Sequence, residues 1–159
     1  EFLVRSFKLI NKENIELWLC GKGIDNYITM EAAKDKRIKV LGYVTQEKLI
    51  DLCNEADFFV NPRLKEGNHT NFPSKILFYL PFKKPIITTE NGLSSKYKEI
   101  CRIITREKTQ NLADEMKACI SLSKEELKLI SLNIESFNKN NTWNSQANNL
   151  IQWLNNKIL

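Results

Sequence analysis

The apolar positions of this chain keep two spacings that take turns along its length. Phe2, Leu3, Phe7 and Ile10 share one side of a helix over Phe2 to Asn11, and the apolar run from Ile15 to Cys20, stopped by Gly21-Lys22-Gly23, reads as a buried strand. A helix from about Asp25 to Ala33 precedes a strand over Arg37 to Tyr43. Gln46 to Ala56 spaces Leu49, Ile50 and Cys53 as a helix does, and Asp57 to Asn61 is a Phe-Phe-Val strand that Pro62 ends. Beyond the polar loop from Arg63 to Asn71, the pattern predicts a helix starting near Pro73 and strands over Pro85 to Thr89 and Arg102 to Thr105. Three helices close the chain, marked by Leu112, Met116, Cys119 and Ile120, then Leu127, Ile130, Ile134 and Phe137, then Trp143, Ala147, Leu150, Ile151 and Leu154.

Near-continuous apolar strands alternating with amphipathic helices predict an α/β fold, a doubly wound (Rossmann-like) parallel sheet with helices on both faces. No repeat, low-complexity tract or flexible linker interrupts the pattern, and 159 residues suit one domain spanning 1–159. Sheets of this class bind ligands at the carboxyl ends of their strands. The functional residues are therefore expected there.

Charge changes this picture little. The formal net charge of +5 arises from 24 basic and 19 acidic residues spread over the whole length, which suits a solvated surface better than a nucleic-acid footprint. Cys20, Cys53, Cys101 and Cys119 stand far apart and read as small core residues in a reducing compartment. No apolar run approaches the roughly 20 residues that span a bilayer, so a cytoplasmic location is expected. A single histidine, His69, and scattered cysteines cannot assemble a zinc site, so no protein-held metal and no cofactor is expected.

Three strand ends carry usable chemistry. Gly21-Lys22-Gly23 follows the first strand, with glycines that allow close backbone approach and a lysine that could meet negative charge, although a Gly-x-Gly is often only a tight turn. Gly42-Tyr43-Val44 ends the second, just before Thr45, which fits a helix N-cap. Asn61-Pro62 opens the third into the loop and the helix near Pro73, where Ser74 and Lys75 would present free backbone donors and a charge to an anion. A loop as long as Arg63 to Asn71 is more often functional than decorative, and Glu66 is its one carboxylate. Thr70 and Asn71 add polar groups beside the helix start, whereas a lone loop histidine such as His69 is more often a surface residue.

In order and spacing, these segments resemble a known family. Leu17-Trp18-Leu19-Cys20-Gly21-Lys22-Gly23, Val40-Leu41-Gly42-Tyr43-Val44, Asp57-Phe58-Phe59-Val60-Asn61-Pro62, Phe72-Pro73-Ser74-Lys75 and Lys84-Pro85-Ile86-Ile87 are similar to the C-terminal, donor-binding domain of GT-B fold glycosyltransferases of the group 1 (family 4) type. Trp143 resembles the tryptophan that marks the family's last helix. The resemblance implies transfer of a sugar, with retention, from a UDP-sugar or GDP-sugar to a glycan or lipid-linked acceptor, and peripheral association with the inner face of a membrane. It implies a base near Gly42 to Thr45, a diphosphate at the helix after Pro73 and a catalytic role for Glu66.

Departures from the family are specific. The glutamate that grips ribose hydroxyls in the family falls on Phe78, and its usual glycine before Lys84-Pro85 is Lys83, which is expected to weaken the helix stop. The family's domain also begins with a central strand bearing basic groups, whereas Glu1 here already opens the following helix. The resemblance then implies a fragment that is inactive alone, with the first strand and the acceptor-binding N-terminal domain outside these residues. The alternative reading is a degenerate, non-catalytic domain kept as an interaction module. A receiver-like or flavodoxin-like domain is disfavoured because no acidic cluster follows the early strands.

Overall fold

The structure, a computed structural model, describes residues 1–64, 74–90, 93 and 95–158. Seven helices and five strands alternate in the described chain. They are α1 (Phe2–Lys8), β1 (Leu17–Cys20), α2 (Asn26–Lys34), β2 (Ile38–Gly42), α3 (Gln46–Glu55), β3 (Phe59–Asn61), α4 (Lys75–Tyr79), β4 (Ile86–Thr89), β5 (Arg102–Ile104), α5 (Thr109–Ile120), α6 (Lys124–Asn140) and α7 (Trp143–Ile158). The expected alternation is borne out, with ends that move by a few residues. The first helix stops at Lys8 rather than Asn11 and the first strand begins at Leu17 rather than Ile15. Asp25 and Thr45 cap their helices as their side chains dictate, accepting from the Ile28 N–H at 2.8 Å and the Lys48 N–H at 3.3 Å.

All strand pairs are parallel, and the sheet comes in two pieces, β1 with β2 and β3-β4-β5. Helices cover both faces, giving two apolar layers. On one face α1 and α5 pack Val4, Phe7, Leu112 and Met116 against Leu17, Ile38, Ile87 and Ile104. On the other, Cys53, Ile76, Leu80 and Ile134 pack with Phe59 and Ile86. Strand periodicity explains how β4 serves both, because consecutive side chains such as Ile86 and Ile87 point to opposite faces. The fold is the expected α/β, Rossmann-like arrangement.

Polar groups tie the layers together. Lys84 Nζ donates to the carbonyl of Cys53 at 3.1 Å and to those of Asn54 and Ala56, placing a cation at the negative end of α3 just before β4 begins. Lys83 occupies the left-handed region at φ 53°, where its N–H bonds to Leu80 O and its ammonium pairs with Glu135 at 3.0 Å. The helix stop thus keeps the left-handed geometry that the family's glycine would supply, here held by a lysine. Cys53, Cys101 and Cys119 are buried as expected, whereas Cys20, expected in the core, is exposed at the end of β1. No described helix is long and apolar enough to cross a membrane.

Glu31 is buried between two lysines, accepting from Lys8 and, at 2.9 Å, from Lys34. The Lys8 ammonium first and Lys34 next hold its carboxyl below the usual value of 4.5. A carboxyl depressed in the folded state stabilises the fold above its unfolded pKa and loses that contribution as pH falls through the folded one. The melting temperature should stay level from about pH 7 to about pH 5 and drop below about pH 4.5, with a smaller drop in Glu31→Gln, as scanning calorimetry would record.

Candidate functional site

The turns after β1 and β2 are joined to each other. The Gly21 N–H donates to Gly42 O at 2.8 Å, and the two glycines sit at φ 138° and 65°, angles that side-chain-bearing residues rarely hold. A Cβ on either would meet nothing within 4 Å, so the backbone angle, not space, requires glycine. This link sets Lys22 against Tyr43, with the ammonium 4.8 Å from the ring centroid. Much of the ring is open to solvent, since Tyr43 is 73% exposed.

The ends of β3 and β4 are also locked together. Thr89 Oγ1 accepts from the Arg63 N–H at 2.9 Å and donates to Arg63 O at 2.7 Å, while Thr88 Oγ1 donates to Asn61 O at 3.0 Å. The side chain of Asn61 is buried, yet its Nδ2 has no partner among the described residues. A buried amide donor without a partner is costly, by about 1–3 kcal/mol.

These strand ends open onto one cavity of about 1250 Å³, whose lining includes Gly21, Gly23, Tyr43, Val44, Asn61 and Lys75. Five of the residues singled out from the sequence are thus brought together. Lys22 and Ser74 stand exposed outside the lining, and Gly42 contributes its carbonyl to the Gly21 bond. Glu66, Thr70 and Asn71 lie outside the described residues, as do His69 and Pro73. Asn61 was not among the residues singled out from the sequence. Its signal was a polar residue closing an otherwise apolar Phe-Phe-Val strand.

The helix at the anion seat is short. The helix there is α4, five residues long, beginning at Lys75 and passing at Leu80 into a 3-10 turn through Phe82. Pro81 lacks the N–H that a longer α-helix needs, so the macrodipole available at Ser74 is that of little more than one turn. Ser74 also makes no side-chain cap. Phe78, in turn, packs edge-on to Tyr79 and tilted against Phe82, with centroids 6.0 and 5.8 Å away. Tyr79 stacks on Phe59 at 4.4 Å, and burial pushes its hydroxyl up to about 12.

Other groups near the cavity offer little reactivity. Desolvation raises the Cys20 thiol above its usual value, which disfavours the nucleophilic thiolate. Among the described residues no three His, Cys, Asp or Glu side chains gather as a metal site would need.

A sequence profile described as "Glycosyl transferases group 1" matches residues 1–121, well over half of the chain. The chain belongs to the group 1 glycosyltransferases. No curated protein matches it significantly. Among solved structures, a glycosyltransferase from Rickettsia africae ESF-5 superposes with a TM-score of 0.74 at 17% identity, covering 95% of this chain and 42% of its own. Anabaena Alr3699/HepE in complex with UDP gives 0.66 at 15% identity, and its UDP-glucose complex 0.65 at 15%. Both cover 86% of this chain and 39% of theirs. This group 1 glycosyltransferase chain thus spans about two fifths of the length of those structures. The resemblance drawn from the strand-end motifs is borne out at the level of family and fold, consistent with the C-terminal half of a GT-B fold.

Proposed function

We propose that this chain is the nucleotide-sugar-binding half of a glycosyltransferase, and that the sugar donor lies across the mouth of the strand-end cavity. The observation that carries this reading is the convergence of the Gly21–Gly42 turn pair, Tyr43, Asn61 and Lys75 on one cavity in a group 1 glycosyltransferase fold. The base stacks on the open part of Tyr43, and the diphosphate meets the Asn61 amide and the Lys75 ammonium. Both donors favour the charge that builds on the leaving diphosphate as the glycosidic bond breaks, so they favour departure more than they favour the bound ground state. Glu66 is the carboxylate proposed to act at the sugar.

Anabaena Alr3699/HepE is solved with UDP and UDP-glucose, which makes UDP the first probe and GDP the second. Transfer of a hexosyl group with retention, to a glycan or lipid-linked acceptor held by a further domain at a membrane's inner face in the cytoplasm, completes the proposal. No nucleic-acid partner and no protein-held metal are part of it. Titration calorimetry should show UDP or GDP binding, and Lys75→Ala should weaken it about three- to fivefold, an effect that shrinks with added salt because Lys75 is exposed. Absence of binding by either nucleotide would sink the proposal.

One observation favours a second reading. Phe78 is built into the aromatic group with Tyr79 and Phe82, so the position where the resemblance implies a ribose-gripping carboxylate is apolar. A degenerate domain that binds a protein partner and ignores nucleotides would fit that feature, and the same titration separates the two.

A further inference from the structure

A second cavity, of about 470 Å³, lies between the short 3-10 helix Ser95–Glu99 and the C-terminal half of α6. We infer that it is a binding site for a neutral saccharide, read by the amides of Asn133 and Asn140 and the hydroxyl of Ser136. It shares no lining residue with the strand-end cavity, so the inference stands independently of the nucleotide reading.

Helix spacing puts the recognising groups in a row. Asn133, Ser136, Phe137 and Asn140 recur three and four residues apart on α6, and all of them line the cavity. Phe137 is half-buried, with its ring 5.1 Å from that of Tyr97, and this packing joins α6 to the 3-10 helix. The two walls are thereby held at a fixed separation. At one end Lys96 Nζ donates to Asn141 Oδ1 at 3.4 Å while lying 5.1 Å from the centre of the Tyr97 ring. Asn141 is anchored in turn, its Nδ2 donating to Phe137 O at 2.8 Å.

The groups that this frame leaves over specify the ligand. Among the described residues the side chains of Asn133, Ser136, Asn140 and Glu99 make no hydrogen bond or ion pair, although all four line the cavity. Neighbours that point elsewhere are committed: Asn138 donates to Leu80 O at 3.2 Å, and Glu135 pairs with Lys83 and Lys139. An asparagine amide offers two donors and an acceptor, and a serine hydroxyl plays both parts, which matches sugar hydroxyls that donate and accept at once. Lys96 and Glu99 oppose each other in charge, so an ion of either sign meets one repulsive group. Phe137 and Ile100 supply the apolar surface against which the C–H face of a pyranose ring rests. The volume falls in the range of small-molecule sites and suits one or two such rings.

The test is a titration of the isotope-labelled chain with four neutral probes, methyl β-glucoside, methyl α-galactoside, N-acetylglucosamine and cellobiose, followed by amide chemical shifts. At least one should shift Lys96, Glu99, Ile100, Asn133, Ser136 and Asn140 saturably, with a Kd of about 1–10 mM, as suits a ligand of about a dozen non-hydrogen atoms. Asn133→Ala and Asn140→Ala should each weaken that binding about fivefold or more, whereas Asn149→Ala, at an exposed asparagine outside the cavity, should leave it unchanged. All three positions are exposed, so a thermal melt should stay at the parent's value. Affinity should hold between about 0.05 and about 0.5 M salt, since the ligand is neutral. The inference is overturned if no probe shifts these amides at about 100 mM, or if both variants bind as the parent does. Sugar-induced shifts at Gly21 to Gly23 and Gly42 to Val44 alone would place the saccharide in the strand-end cavity and refute this site. Tighter binding of inorganic phosphate than of every sugar, lost as salt rises, would make it an anion site and refute the inference as well.

Discussion

Replacing Ile87 with alanine should lower the unfolding free energy by about 3 kcal/mol and the melting temperature by roughly 6–12 °C. Ile87 is 0% exposed, at the second position of a strand paired on both edges. Its side chain sits in the layer formed by Val4, Phe7, Leu112 and Met116, so truncation removes contacts to two helices at once and leaves a void that paired strands cannot close. A domain of this kind holds about 5–15 kcal/mol in total, which makes the loss a large share. Ile87→Val should cost about 1 kcal/mol, and Ile86→Ala should match Ile87→Ala while opening the opposite layer. Urea unfolding followed by circular dichroism would measure all three. A loss below about 1 kcal/mol in Ile87→Ala would mean that β4 is not the shared spine of the two layers.

Tyr43→Ala should weaken UDP binding by roughly ten- to a hundredfold, while Tyr43→Phe should keep most of the affinity. Stacking of a base on an aromatic side chain contributes about 1–3 kcal/mol, and the ring rather than the hydroxyl supplies it. The ring is held ready for that role by the Lys22 ammonium 4.8 Å from its centroid and by the Gly21–Gly42 bond beneath both turns. Because Tyr43 is 73% exposed, its loss should leave the melting temperature within about 1 °C of the parent. Titration of each variant with UDP, paired with a thermal melt, separates the binding effect from a folding defect. Equal affinity in Tyr43→Ala and the parent would remove Tyr43 from the base site.

Much of the architecture was legible because its signals are local. Ile15 to Cys20 is an apolar run closed by two glycines, and Asp57 to Asn61 one closed by Pro62, so both strands announce their ends. Thr45 and Asp25 mark helix starts through their own side chains. The length of α4 was also written in the sequence, as Pro81, but its consequence for the anion seat needs the observed 3-10 turn. The resemblance marked Lys83 as the helix stop, but nothing local in a lysine favours its left-handed angle, and its partner, the distant Glu135, emerges from the structure. The last helix shows the same limit. Its apolar periodicity suggested a buried face, yet Leu150, Ile151, Trp153 and Leu154 are exposed, because periodicity reports an amphipathic helix and not what covers it.

The candidate site was legible in part for the same reason. Glycine turns and an exposed tyrosine at strand ends are sequence features, and the parallel topology brings them together. Asn61 escaped notice because its importance is a matter of accounting. Only when the neighbours of its amide are known does the donor stand without a partner among the described residues. The split of the sheet into β1-β2 and β3-β4-β5 likewise emerges from which backbone edges pair.

The most direct test of the nucleotide site is a UDP titration of the isotope-labelled chain followed by amide chemical shifts. The account predicts saturable shifts confined to Gly21 to Gly23, Gly42 to Val44, Asn61 and Ser74 to Lys75. Shifts confined to α5 and α6, or none at saturating nucleotide, would contradict it.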